Sequence, residues 1–374
     1  MNLNPSHDCL AVTTHDSKMA LNATESAVSQ REARLIYAIT MPMSSAIILI
    51  NLLIILAIAS NRQLHNTPNY FFLSLLVADL CTGVALPFIP WMGLNRPLSF
   101  GTCLLVHILP NFLFLAFLFN LVMVHYERYL SIVSPLHYRT LWLHRHFLLA
   151  LFGLWVPPLI FALLPAFGWN NRGHGKMWNG CCLAPNITTE ANCSGPSSGE
   201  RCCTYQHVFP NVFIYLEVYG ILAPSIVAIV GMTGRVLWIT RAQLRDIQRL
   251  ERSVSQVGKR RRRGLALNLR YARCVAAVSL TFLACWVPYI IYTHVGMAFL
   301  QRPGAQPNPT SHLVLSCAGV GGMAVVPLVL GLANREYTDP VRKLVRTLRD
   351  RWKRRWDSDL IHSDPSRSNR LCIM

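Results

Sequence analysis

The sequence predicts an all-α membrane protein: a bundle of seven transmembrane helices followed by an amphipathic eighth helix. Three observations predict it. Hydrophobic residues make up 52% of the 374-residue chain and charged residues only 14%, against about 25% charged in an ordinary soluble domain. The apolar residues gather in seven blocks, each long enough for the roughly 20 residues of helix that cross a bilayer. The basic residues behind the formal charge of +18 sit between and after those blocks. A membrane protein keeps its cytoplasmic positive charge there, so the charge does not point to a nucleic-acid partner.

The spans follow in order. The first covers 35–60. The second, 69–94, carries Pro87 and Pro90 near its outer end. The third covers 102–133, the fourth 145–167, the fifth 208–240, the sixth 268–300 and the seventh 311–334. The third, fifth and sixth exceed what a bilayer needs and are expected to tilt or protrude into water. The polar segment before the first span lacks the basic start and short apolar run of a cleavable leader. The first helix is then expected to act as its own insertion signal. The resulting plan is an extracellular segment 1–34, a seven-helix domain 35–334, an amphipathic juxtamembrane helix 335–356 and a cytoplasmic tail 357–374.

Lysine and arginine set the orientation. The connection between spans five and six carries Arg241, Arg245, Arg249, Arg252 and the run Lys259–Arg263; the tail carries Arg342, Lys343, Arg346, Arg349, Arg351, Lys353, Arg354 and Arg355. With seven spans both lie on one side, which places the N-terminus outside and the C-terminus in the cytosol at a plasma membrane. The run Lys259–Arg263 fits a solvated positive-inside loop as well as contact with lipid or a partner protein. Glycosylation acceptors at Asn22, Asn186 and Asn192 all fall on the outer side. So do seven cysteines: Cys9, Cys103, Cys181, Cys182, Cys193, Cys202 and Cys203. An oxidising exterior permits a bridge from the loop before span five to Cys103, and an odd number leaves at least one cysteine without a partner in the chain.

After span seven, Tyr337, Val341, Leu344, Val345, Leu348 and Trp352 recur at helical spacing among basic residues. This pattern suits a helix on the anionic inner leaflet, with a plain solvated basic tail as the alternative. Cys372 stands third from the end, so the terminus is not a prenylation box.

Polar groups inside a membrane are costly and mark candidate functional positions. Asp79 lies mid-span in helix 2, and with Asn51 it fits either a polar hub between helices 1 and 2 or a water-bridged structural pair. Glu127, Arg128 and Tyr129 close helix 3 at its inner end. There a carboxylate can hold the guanidinium until a cytosolic partner needs it, although charged helix ends are also common. His107 and Asn111 in helix 3 and Glu217 in helix 5 fit the wall of an outer cavity or internally satisfied positions.

These residues together resemble the rhodopsin-like (class A) family of G-protein-coupled receptors. Leu76-Val77-Ala78-Asp79, Glu127-Arg128-Tyr129, Trp155, Cys285-Trp286-Val287-Pro288 and the spacing of Cys103 before Arg128 match the family in the correct order over the whole seven-helix region. The resemblance implies a bundle with an outer ligand cavity and an inner site for a heterotrimeric G protein. The helix 6 proline frees a carbonyl and permits a kink. The family's Asn-Pro-x-x-Tyr in helix 7 is reduced here to Val326-Pro327-Leu328-Val329-Leu330, and Phe117, Gly322 and Val326 stand where many members complete a sodium site around Asp79. That argues against a strong allosteric sodium site.

Within the family, four stretches resemble its bile-acid-sensing branch: Ala85-Leu86-Pro87, Pro110-Asn111-Phe112, Tyr215–Gly220 and Gln243–Arg252. The resemblance implies a bile acid or related steroid as ligand, stimulatory G protein as partner and cyclic AMP as output. It also implies a disulfide between Cys103 and Cys203, whose spacing to Phe209-Pro210 matches. Asn111, Glu217 and Tyr289 match pocket positions of that branch, while His107 replaces a Tyr, Gly296 replaces a Ser, and Asp79 is an acid the branch lacks. Phe112, Trp286 and Tyr289 suit the apolar face of a steroid; Asn111, Tyr289 and Glu217 suit its hydroxyls; and His107, Arg96 or Lys176 suit its acid end.

Competing readings meet specific obstacles. Phe167–Asn171 resembles adenosine receptors, yet Thr293, Tyr205, Gln206 and Val320 depart from their ligand-contacting types. Pro110 occupies the position of the amine receptors' Asp, and the seventh span has no Lys for retinal. A transporter would show an internal repeat, and an intramembrane enzyme a convergent acid–base, nucleophile or metal set. The sequence shows neither and implies no cofactor.

Overall fold

The computed structural model describes residues 34, 37–88, 100–134, 145–170, 208–251, 276–288, 290–292, 319, 321–322, 325–326, 329 and 335–363. Helix α1 is Tyr37–Ser60, α2 is Thr67–Ala85, α3 is Phe100–Val133 and α4 is Phe147–Leu163. Helix α5 runs over 211–251 in three parts, and α6 is Ala276–Tyr292 with Tyr289 outside the described residues. The described positions of the seventh span are all helical, and a C-terminal helix covers Arg335–Ser363. No strand occurs among the described residues. Tyr37–Ser60, Thr67–Phe88, Phe100–Val133 and Asn211–Gln243 are long and apolar enough to cross a membrane, while α4 and α6 are shorter apolar helices.

Helix ends follow local chemistry. The link from α1 to α2 is a tight turn, Arg62–Leu64, whose cap Asn61 accepts from the Gln63 N–H. Asn66 then caps α2 by accepting from the Asn69 N–H at 3.1 Å, and the Asn69 amide donates back to the Leu64 carbonyl at 2.8 Å. At its outer end α2 tightens to a 3₁₀ turn, Leu86–Phe88, because Pro87 has no N–H to continue the ladder. The expected span to residue 94 therefore stops as α-helix at Ala85; residues 89–94 are not described. Helix α4 gives way to turns at Leu164 and closes at Gly168, whose φ of 107° suits only glycine. The Trp169 N–H reaches back to the Leu164 carbonyl across this turn.

Two helices outrun their expected ends. Helix α5 continues past residue 240 to Glu251. Its continuation, Arg241 to Glu251, is rich in Arg, Gln, Leu and Glu, which are good helix formers, and has no breaker. The C-terminal helix continues past residue 356 to Ser363, and Trp352 and Trp356 pack one turn apart with tilted rings, centroids 5.5 Å apart.

Helix α3 sits at the centre, packed against α2, α4 and α5. Phe117 and Leu121 of α3, Phe71 and Leu75 of α2 and Phe282 of α6 are buried members of one core. Small groups let the helices approach: the Ser44 hydroxyl donates to the Gly83 carbonyl at 2.7 Å, joining α1 to α2. The Trp155 indole N–H donates to Ser74 at 2.9 Å, joining α4 to α2. Large apolar side chains turn outward instead, including Phe152 at 65% exposure and Val227 at 71%. In water such faces would drive association; against lipid tails they carry no such penalty.

Candidate functional site

The outer group is built on α3 and α5. Asn111 follows Pro110 on α3, and Glu217 opens the turn Leu216–Leu222 of α5. That turn is a π-helix, wider than its flanks. Pro224 sits just beyond it, has no N–H to give and would crowd the Gly220 carbonyl in a regular α-helix. The wide turn removes that conflict and aims Glu217 at α3. The Asn111 Nδ2 donates to Glu217 Oε2 at 3.3 Å, with both residues buried. The Asn111 carbonyl oxygen is buried with no hydrogen-bond partner among the described residues, a state that costs about 1–3 kcal/mol. It is therefore a ready acceptor for a further donor.

His107 lies one turn outward of Asn111. Its Nδ1 is 2.9 Å from the Cys103 carbonyl, which can only accept, so Nδ1 donates. Its ring meets Phe209 edge-on at 6.5 Å. Cys103 is disulfide-bonded, and its partner lies outside the described residues, as does Cys203. One turn inward of Asn111, Phe114 packs on Trp286 of α6 with ring centroids 4.3 Å apart. A Cβ at Gly319 would stand 3.3 Å from the same indole, so the seventh span abuts it closely. His107, Asn111 and Phe114 thus lie along one face of α3, with Glu217 bonded to Asn111 and Trp286 packed on Phe114.

Phe112 does not join this group. One residue along a helix turns a side chain by about 100°, and Phe112 meets Trp155 of α4 at 6.1 Å. The aromatic floor is instead Phe114, which its spacing of three from Asn111 would have indicated. Tyr289, Arg96, Lys176, Asn22, Asn186 and Asn192 lie outside the described residues.

The inner group closes α3. Arg128 Nε lies 3.2 Å from Glu127 Oε2, with the Glu127 side chain 1% exposed and that of Arg128 19%. Tyr129 beside them is half-buried. Between the two groups, Asp79 is fully buried, and neither of its carboxylate oxygens has a partner among the described residues. Asn51 donates to the Ile47 carbonyl at 2.9 Å within its own helix. Asp79 and Asn51 are therefore not joined directly: the Asn51 amide nitrogen bonds within α1, and its side-chain oxygen has no partner among the described residues. No His, Cys, Asp or Glu cluster suited to a metal occurs among the described residues.

Comparison with known proteins bears on these groups. Residues 50–329 match the 7 transmembrane receptor (rhodopsin family). The chain is 37% identical to the G-protein coupled bile acid receptor 1 of Rattus norvegicus, over 90% of this chain and 93% of that receptor. It is 38% identical to the Homo sapiens protein of the same name, over 84% and 87%. The adenosine receptor A2b of Gallus gallus is 28% identical, over 79% and 83%.

Proposed function

Because this chain belongs to the rhodopsin family of seven-transmembrane receptors, signals through G proteins and is not an enzyme, we propose that its ligand is a bile acid or related steroid. The observation that carries this reading is the buried Asn111–Glu217 pair above the Phe114–Trp286 floor. A rigid amphipathic steroid needs a few fixed polar partners on one side and aromatic surface on the other. The Asn111 side-chain carbonyl accepts from a ligand hydroxyl, Glu217 takes a second, and Tyr289 completes the wall. His107 stands at the rim, where the acid end of such a ligand points. Likeness to bile acid receptors over most of the chain supports the same ligand class.

The remaining assignments belong to the same reading. The receptor lies in the plasma membrane with segment 1–34 outside and tail 357–374 in the cytosol. Cys103 pairs with Cys203, and Asn22, Asn186 and Asn192 carry glycans. Glu127, Arg128, Tyr129 and Asp79 govern coupling to stimulatory G protein, and the C-terminal helix lies on inner-leaflet lipid.

Cyclic AMP in cells expressing the chain tests the proposal. A bile-acid panel is expected to give a dose-dependent rise. Asn111→Ala and Glu217→Gln are each expected to shift the half-maximal dose at least tenfold upward at equal surface expression, the loss of one or two buried hydrogen bonds to ligand. A flat wild-type response would remove the bile-acid assignment, and a response to adenosine instead would favour the more distant relatives.

A further inference from the structure

In the inner half of the bundle, three helices meet through side chains that neither the ligand site nor the Glu127–Arg128 pair uses. His125 on α3, Thr233 on α5 and Ser279 on α6 are buried. The His125 Nδ1 lies 2.8 Å from the Leu121 carbonyl. Its Nε2 lies 2.9 Å from the Ser279 hydroxyl, which lies 2.8 Å from the Thr233 hydroxyl. A carbonyl only accepts, so Nδ1 carries a proton. With the ring neutral, Nε2 then accepts and Ser279 donates to it. Thr233 in turn donates to Ser279.

We propose that His125, Ser279 and Thr233 form a polar latch that holds α6 against α3 and α5 in the closed receptor, and that its release accompanies activation. The latch is placed for this task. His125 is one helical turn from Arg128, whose guanidinium is paired to Glu127 in the same structure. Ser279 sits between Phe282, which faces Phe117 of α3, and the inner end of α6. Any movement that separates the inner part of α6 from α3 breaks the His125–Ser279 bond. Any movement from α5 breaks the Thr233–Ser279 bond. All three groups are buried, so a break leaves them without these partners. The latch therefore biases a two-state element toward its closed arrangement, and ligand energy must overcome that bias.

The test is ligand-free nucleotide exchange on a panel of heterotrimeric G proteins, in membranes of cells expressing the full chain at matched surface density. Ser279→Ala breaks both links and is expected to raise basal exchange about five- to tenfold. Thr233→Val keeps shape, breaks one link and is expected to give a smaller rise. Ser279→Thr keeps the hydroxyl and is expected to stay near wild type. A rise is a gain of function, which mere misfolding does not produce. Basal rates at or below wild type in both Ser279→Ala and Thr233→Val would overturn the latch, and so would an equal rise in Ser279→Thr. If Ser279→Ala fails to reach the surface, Thr233→Val decides by the same criterion. The panel and the absence of ligand keep this result separate from the bile-acid reading: raised basal exchange beside a flat bile-acid response would sink the ligand and leave the latch.

Discussion

Asn111 and Glu217 were legible in the sequence because a polar side chain inside an apolar run needs a partner, and each is the other's. Phe112 was legible as an aromatic but not by direction, since one step along α3 turns it to Trp155. The motif Glu127-Arg128-Tyr129 announced an ion pair, and the structure holds it at 3.2 Å with the carboxylate buried. Its strength follows from charge and burial together. Hydrogen bonds to charged groups contribute about 1.5–3 kcal/mol, more than neutral ones. Glu127→Gln weakens that hold while keeping the shape, so ligand-free G-protein nucleotide exchange is expected to rise about tenfold at matched surface density. An unchanged basal rate would mean that the pair does not restrain Arg128. His125, Ser279 and Thr233 escaped notice for a plain reason: serine, threonine and histidine also occur singly in spans as locally satisfied groups. Only the distances joining α3, α5 and α6 set these three apart.

At the scale of elements, existence was easier to read than ends or irregularities. Apolar length marks a span, but the π turn Leu216–Leu222 leaves no periodicity of its own, and only Pro224 hints at it. That turn adds residues to one helical circuit and so sets the direction of Glu217. Pro224→Ala supplies the missing N–H and lets the turn relax toward regular α-helix, which rotates Glu217 away from Asn111. Bile-acid potency is expected to fall by about tenfold at unchanged surface level, measured as the cyclic AMP dose response; a wild-type dose response would show that the π turn does not aim Glu217. Glycine contacts were equally hidden, because the partners are distant in sequence. A Cβ at Gly83 would come 2.8 Å from Ile47 on α1, whereas one at Gly153 meets nothing within 4 Å. Gly83→Ala is therefore expected to cost about 1–3 kcal/mol by overpacking. Gly153→Ala is expected to be neutral or slightly stabilising through helix propensity. Thermal melting of the purified receptor in detergent distinguishes them: only Gly83→Ala should lower the midpoint by several degrees.

The whole molecule was the most legible level. Few charges, long apolar blocks and one-sided Lys and Arg follow from the bilayer as solvent, and the bilayer constrains every span alike. The outward apolar faces of α4 and α5 and the α3-centred packing agree with that reading, as does membership of the rhodopsin family. Ligand chemistry was harder to read, because the candidate site draws single residues from α3, α5 and α6 that lie far apart in sequence. The proposed ligand contact is the Asn111–Glu217 pair on a bile acid. Saturation binding of a tritiated bile acid to purified receptor tests it most directly, comparing wild type with Asn111→Ala. Saturable binding to wild type and at least tenfold weaker binding to the variant at equal folded fraction are expected. Equal affinity in the two proteins, or no saturable binding to wild type, would contradict it.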